Sequence, residues 1–370
     1  MIAVNRNIPK ITYLFRGGRR ERLAQPGRGP TEFFYGYQQF LAMGVDVSIL
    51  EDSDVGMAAP LAPIFRLLNK LSGLLGGLPT GMAAGLILGG HCRQLDEAGC
   101  LIATTNGMGM SLAIARALGK VRVPVLLLAM GLLPHHPSKL QTWLFRRLAK
   151  HIRIACISRA EEKHLRNIFV GQIISYVPFG VDHWFWHPGP VDVGEKSFVL
   201  AIGNDPSRDW ATLAQAWSPD LPRLKIITCL QVPVVPSNVE VIRGDWRTSF
   251  LSDEELRELY WRAAVVLVPL KETIQPSGQS SCLQAMACGK SIVLSDIAGL
   301  WDREVILNEQ NVLLVPPGDA SALNLAVRRL LASPALRQNL GRQARITIVN
   351  HFNVDIMATS LYDVLAQNHD

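Results

Sequence analysis

The stretch 264-AVVLVPLKETIQPSGQSSCLQAMACGKSIVLSDIAGL-300 decides how the rest of the chain is read. Residues 264–270 form an uninterrupted apolar run, as expected of a parallel strand covered on both faces. The following Gln275, Pro276, Ser277, Gly278, Gln279 and Ser280 are small or polar, so backbone N–H groups there can approach a ligand closely. A helix is expected over residues 281–288, stopped by Gly289 just past its end, and residues 291–295 resume the sheet. Strand, small-residue loop and helix N-terminus together make an anion site, because free N–H groups and the helix dipole both favour phosphate.

Working outward, the same alternation runs along the whole chain. Strands are expected at 11–16, 45–50, 101–105, 123–130 and 153–157, and again at 198–202, 224–229 and 239–243. Between them lie helices at 31–43, with Thr31 as its cap, at 110–118, and at 159–166 behind Ser158. Another ends near Trp261 and is opened by the capping box of Ser252 and Glu255. Residues 353–367 place Ile356, Met357, Leu361, Val364 and Leu365 on one helical face. Such alternation predicts parallel sheets with helices on both faces and ligands at the strand C-terminal ends. At 370 residues the chain is too long for one core, and two domains are expected.

The wording of the opening stretch adds a resemblance. Residues 283-LQAMACGK-290, then Ser295, Asp296 and Gly299, then 315-VPPGD-319, look like the C-terminal half of a GT-B glycosyltransferase of the family 4 type (glycosyl transferases group 1). Further matches lie at 177-VPFGVDHWFWHP-188 and 203-GNDPSRDWATL-213. The resemblance implies an α/β fold of two Rossmann-like domains facing each other across a deep cleft. Residues 1–188 would bind the acceptor, residues 189–352 the nucleotide-sugar, and 353–370 would cross back onto the first domain. It further implies a retaining, metal-independent transfer from a nucleotide-diphosphate sugar, a co-substrate rather than a cofactor, to a glycan or lipid-linked acceptor. The leaving phosphate would take the acceptor's proton.

The departures from the family pattern bear on the site. Family members carry two glutamates separated by seven residues, the second contacting the donor ribose. Here those positions are Pro276 and Gln284, so the chain is a variant lacking both. Gln284 still donates and accepts hydrogen bonds to a hydroxyl pair. The first glutamate's role is open to backbone groups around Ser277 and Gln279 or to Glu272. In 203-GNDPSRDW-210 the family's Arg after the glycine is Asn204, so the diphosphate clamp falls on Arg208, with Asp209 capping the next helix. The expected donor residues are Gly203, Asn204, Arg208, Ser277, Gly278, Gln279, Ser280 and Gln284. Arg208, Gln279 and His135 are the catalytic candidates, and Gly17, Gly18, Asn106 and Gly107 the acceptor candidates. His135 and His136 follow a strand, where a lone or paired loop histidine is more often structural than catalytic.

Composition narrows the rest. Residues 1–150 hold 17 Lys/Arg against 8 Asp/Glu, whereas the whole chain is +6. A basic first half suits an anionic membrane leaflet or anionic acceptor, so a cytoplasmic protein with peripheral contact at the inner face of the membrane is expected. Residues 139–150 carry Leu140, Trp143, Leu144 and Leu148 at helical spacing beside Arg146, Arg147 and Lys150. No nucleic-acid motif accompanies the charge. The six cysteines lack CxxC spacing, so neither a metal site nor a disulfide framework is indicated. The N-terminus has no secretory pattern. Residues 71–90 are uncharged over a bilayer's length but hold seven glycines and Pro79, which points to a buried helix pair or a membrane-facing patch before a span. Two other functions stay open: a metal-dependent transferase built on Asp52 and Asp54, and an inactive sensor or scaffold for nucleotide-sugars.

Overall fold

The computed structural model describes residues 10–24, 29–57, 72–73, 76–189, 198–244 and 251–367. The chain divides into two compact units. The first comprises Met1–Arg28, Phe33–Pro178 and Met357–Asp370; the second comprises Gly29–Glu32 and Phe179–Ile356. The passage into the second unit thus comes earlier than residue 188, and a short piece of the N-terminal half, Gly29–Glu32, belongs to it as well.

In the first unit the strands are β1 (Ile11–Phe15), β2 (Val47–Glu51), β3 (Cys100–Ala103), β4 (Val125–Ala129), β5 (Arg153–Cys156) and β6 (Ile174–Tyr176). They form one sheet in the order β2-β1-β3-β4-β5-β6, every described pair parallel. β1, β3 and β4 are buried along their full length, which accounts for their continuous apolar sequences. One face packs on the helix Asn106–Ala117, whose Met108, Met110, Leu112, Ala113 and Ala115 join Leu101, Leu127 and Ile154 in a single core.

The helix expected over 31–43 is broken. A short 3-10 turn at Glu32–Phe34 precedes the helix Tyr37–Ala42, and Tyr35 and Gly36 both take positive φ. The Tyr13 hydroxyl donates to the carbonyl of Tyr35 at 2.9 Å, and a Cβ on Gly36 would press against Ala358. Tertiary contacts therefore override local propensity here. Thr31 caps no helix; its hydroxyl donates to Asp182. Within 71–90 the described part includes a helix at Thr80–Leu88 with Gly81, Ala83, Gly85 and Leu86 buried; Leu71, Leu74 and Leu75 lie outside the described residues, as does the start of the chain. Among the described residues no helix is long and apolar enough to cross a membrane.

The last helix, Val354–Ala366, passes from the second unit into the first at Met357. Its Tyr362 ring meets Phe40 edge-on at 6.3 Å, and its Val364 carbonyl accepts from the Arg153 guanidinium.

The second unit repeats the architecture. Its strands are β7 (Phe198–Ile202), β8 (Leu224–Ile227), β9 (Val239–Ile242), β10 (Ala263–Val268), β11 (Ile292–Ser295) and β12 (Leu313–Val315). All pairs are again parallel, in the order β12-β11-β10-β7-β8-β9. The chain therefore lays β8 and β9 to one side of β7, then returns to lay β10, β11 and β12 on the other. That reversal is a topological switch point, and it leaves a crevice beyond the C-terminal ends of β7 and β10. In the first sheet the corresponding reversal lies between β1 and β3. The capping box of Ser252 and Glu255 forms as expected at the start of the helix Asp253–Arg262.

Candidate functional site

The two loops leaving the switch point of the second sheet are paired to each other. Asp209 N–H donates to the Pro269 carbonyl at 3.0 Å, and Lys271 N–H to that of Ser207 at 2.8 Å. This pairing sets Arg208, which follows β7, over the start of the helix Gln279–Ala287, which follows β10. Arg208 is 4% exposed. Its Nη2 donates to Ser281 Oγ at 2.6 Å, and its Nε lies 2.7 Å from Asp205 Oδ2. Its Nη1 is buried without a hydrogen-bond partner, which leaves one guanidinium edge with donor capacity to fill. Asp209 is the cap of the following helix, as expected, its Oδ1 accepting from Thr212 N–H at 3.0 Å.

Gly203 is explained by the same guanidinium. A Cβ on Gly203 would overlap the Nε and Cζ of Arg208, so the glycine serves as the floor on which the arginine lies. Gly278 holds φ +71° at the N-cap of the helix Gln279–Ala287, and no side chain caps that end. The terminal N–H groups and helix dipole are therefore directed beyond the C-terminal end of β10, beside Arg208. Ser277 and Ser280 are half-buried here and Gln279 is buried. A buried cation beside an uncapped helix N-terminus has the chemistry to receive an anionic group such as a phosphate.

The Asn204 side chain is engaged within the sheet. Its Oδ1 accepts from Cys229 N–H at 2.6 Å and lies 3.0 Å from the Thr228 hydroxyl, while its Nδ2 donates to the Gly244 carbonyl at 3.2 Å. The amide thus staples the ends of β7, β8 and β9 together. Glu272 is also committed, accepting from Ala298 N–H at 2.8 Å. Gln284, 6% exposed, donates from Nε2 to Glu32 Oε1 at 2.9 Å and faces the Tyr260 hydroxyl at 3.4 Å. Glu32, Asp205, Tyr260 and Ser281 were not singled out from the sequence. Glu32 lies 252 residues from Gln284, and no local pattern joins them.

In the first unit, Gly17 and Gly18 follow β1 and Asn106 and Gly107 follow β3, so all four stand at that sheet's own switch point. Gly17 N–H donates to Asp52 Oδ1 at 3.0 Å, Arg20 N–H to Glu51 Oε1 at 2.8 Å, and the Arg20 guanidinium pairs with Asp54. The Asp52 and Asp54 carboxylates thus brace the loop after β1, and no His/Cys/Asp/Glu group among the described residues is arranged to hold a metal. Asn106 clamps the end of β4, donating to the Met130 carbonyl at 3.0 Å and accepting from its N–H at 3.2 Å. His135 is exposed beyond β4, its ring tilted against that of His136 with centroids 4.3 Å apart and 6.0 Å from that of His164.

Residues 229–333 match the family model described as glycosyl transferases group 1. Glycogen synthase of Mycobacterium tuberculosis is 32% identical over 124 residues, covering 34% of this chain and 29% of that protein, so the chain spans well under half of this relative's length. Sucrose-phosphate synthase from Thermosynechococcus elongatus superposes with a TM-score of 0.70 at 17% identity, covering 97% of this chain and 98% of that one. HepE of Anabaena, solved in complex with UDP-glucose, superposes with a TM-score of 0.67 at 15% identity, covering 97% and 100%. The fold is GT-B, with two six-stranded parallel Rossmann-like sheets, as the sequence led us to expect.

Proposed function

We propose that the protein is a retaining glycosyltransferase that moves a sugar from a nucleotide-diphosphate sugar to a glycan or glycolipid acceptor. The observation that carries this reading is the buried Arg208 with an unfilled Nη1, set beside the uncapped N-terminus of the helix Gln279–Ala287 at the switch point of the second sheet. The group 1 match over 229–333 includes that helix, and HepE, which shares the fold, was solved with UDP-glucose.

In this mechanism the bond from the sugar's anomeric carbon to the leaving phosphate oxygen breaks as the bond to the acceptor oxygen forms on the same face. The acceptor's proton passes to the departing phosphate. Negative charge grows on the diphosphate, where Arg208 and the helix N–H groups stabilise it without needing to reorganise. Gln279, at the first turn, contributes to the same electrostatic cradle. The first unit takes the acceptor, through the loops bearing Gly17, Gly18, Asn106 and Gly107, and His135 is the candidate group for contact with the reacting hydroxyl.

The helix Lys139–Ala149 supports a peripheral site at the cytoplasmic membrane face. Trp143 is 55% and Leu140 47% exposed, with Arg147 over the Trp143 ring at 5.6 Å and Arg146 close by in sequence. Such a face suits an anionic leaflet.

Thermal stability against UDP, GDP, ADP and TDP, each with and without its sugar, tests the donor assignment. Ligand at a hundredfold excess over Kd should raise stability by about 2.7 kcal/mol. A selective rise with one nucleotide is expected, and no rise with any at millimolar concentration would refute the donor site. A second reading, a nucleotide-sugar sensor without turnover, is favoured by Pro276 and Gln284 standing where the family has glutamates. Binding without release of nucleoside diphosphate in the presence of a lysate-derived glycolipid pool would support it.

A further inference from the structure

Glu32 is fully buried in the second unit, to which Gly29–Glu32 belongs although its sequence neighbours do not. A carboxylate in that setting needs every oxygen satisfied. Its Oε1 accepts from Gln284 Nε2 at 2.9 Å and from Trp186 Nε1 at 2.8 Å; its Oε2 accepts from Asp182 N–H at 3.3 Å. Asp182 returns the tie, its Oδ2 accepting from Thr31 N–H at 3.2 Å and from the Thr31 hydroxyl at 2.9 Å. On its other side the Tyr260 hydroxyl lies 3.4 Å from Gln284 Oε1 and 3.3 Å from the Ser281 carbonyl, sharing one proton between them. The amide is therefore oriented chiefly by Glu32, with one N–H and one carbonyl lone pair left over.

Two features give this cluster a role beyond packing. Its partners on Glu32 are all donors, so they favour the ionised carboxylate, and charge-assisted bonds of this kind are about twice as strong as neutral ones. A glutamate at 284 would instead set two carboxylates about 3 Å apart, where both cannot ionise. Gln284 and Glu32 together keep one acid and one amide.

We propose that Glu32 is a positioning residue for the nucleotide-sugar: as a carboxylate it fixes Gln284 so that the amide's remaining N–H and lone pair engage the ribose hydroxyls, and protonation of Glu32 loosens that grip. The inference rests on the donor-site reading given above. Burial pushes the Glu32 carboxyl up to about 7, against the lowering effect of its hydrogen bonds with Gln284, Trp186 and Asp182. Affinity therefore falls as pH drops through neutrality. The other ionisable groups around the cluster are Asp182, Tyr260 on the helix Asp253–Arg262, Arg208, Cys282 and Cys288 beyond Tyr260, and Arg345, which donates to the Trp186 carbonyl. His183 adjoins Asp182, its ring drawn below the usual histidine range by burial and by Arg345.

The test is calorimetric titration of the full chain with UDP-glucose, GDP-mannose, ADP-glucose and TDP-glucose between pH 5.5 and 8.5. Both phosphates of these ligands are esterified and do not titrate in that window. The wild type is expected to bind one of them, with affinity falling about fivefold from pH 8 to pH 6. Glu32→Gln should bind weakly with a flat profile, Gln284→Glu should lose affinity above neutrality, and the exchange Glu32→Gln/Gln284→Glu should recover most of the loss. Melting curves establish that each variant is folded.

A merely structural role would lower the melting temperature of Glu32→Gln and leave the affinity and pH profile of the folded protein unchanged, which overturns the proposal and spares the donor reading. A flat wild-type profile does the same. Failure of the wild type to bind any of the four overturns both.

Discussion

At the scale of single residues, Gly203 and Arg208 are one feature. The glycine is required because the guanidinium lies where a methyl group would be, and the arginine is held there by Asp205 and Ser281. Gly203→Ala should therefore displace the guanidinium and weaken nucleotide-sugar binding by about tenfold or more, the order expected for losing a charge-assisted contact. Arg208→Lys keeps the charge and loses the fork, so it should also weaken binding although Gly203 is untouched. Titration calorimetry on both variants checks this, and wild-type affinity in Gly203→Ala would show that the guanidinium does not meet the ligand. Gln284 makes the complementary point. Its chemistry is set by Glu32, Tyr260 and Trp186 rather than by its own helix, so a substitution that is conservative in isolation, Gln284→Glu, is the disruptive one.

Among the elements, the helix Gln279–Ala287 is positioned by what crosses it. Gly289, just past its end at φ +70°, meets Gly341 on the helix Pro334–His351, and a Cβ on Gly341 would run into the Gly289 carbonyl. Gly341→Ala should cost about 1–3 kcal/mol by overpacking, read as a lower urea midpoint. Ser252→Ala removes only a cap and should cost about 1 kcal/mol; a Gly341→Ala loss smaller than that would mean the helices part easily. The strands were legible because buried parallel strands are written as apolar runs, and β7 falls at 198–202 as expected. The caps Ser158, Asp209 and Ser252 were legible because a cap is a local contract between a side chain and an N–H a few residues on. β6 and β12, three residues each, carry too few side chains to show a pattern. The break at Tyr35 and Gly36 was hidden because its causes, Tyr13 and Ala358, are remote in sequence. The loop 275–280 stood out for its small residues, yet the burial of Arg208 and the hold of Asn204 on the strand ends depend on residues remote in sequence.

On the scale of the whole chain, the segments that pass between the two units meet in the second. Val181 pairs with Asn353, a Cβ on Gly180 would overlap the Asn353 carbonyl, and Gly29–Glu32 is fastened to Asp182 and Trp186. One buried acid in the second unit makes stability depend on pH in a direction opposite to ordinary acid denaturation. The Glu32 carboxyl is raised by burial to about 7, above the usual 4.5. Between those values the native state holds a proton that the unfolded chain has released. Its contribution is thus complete below about pH 4.5 and is lost as pH rises through 7, a change on the order of 3 kcal/mol. Lys290 acts the other way. Burial pulls its ammonium down to about 8 from 10.5 while it donates to the Trp261 carbonyl, so its penalty is full below 8 and relieved as pH climbs toward 10.5. The two contributions share a minimum between pH 7 and 8. Urea midpoints measured from pH 5 to 10 should therefore dip near neutrality in the wild type. Glu32→Gln should flatten the acid-side descent, and Lys290→Met the alkaline rise. Should the Glu32→Gln curve instead run parallel to the wild type from pH 5 to 7, the carboxyl is ionised throughout. The three donor groups around it would then outweigh its burial, and the pH dependence of ligand binding would have to come from another group.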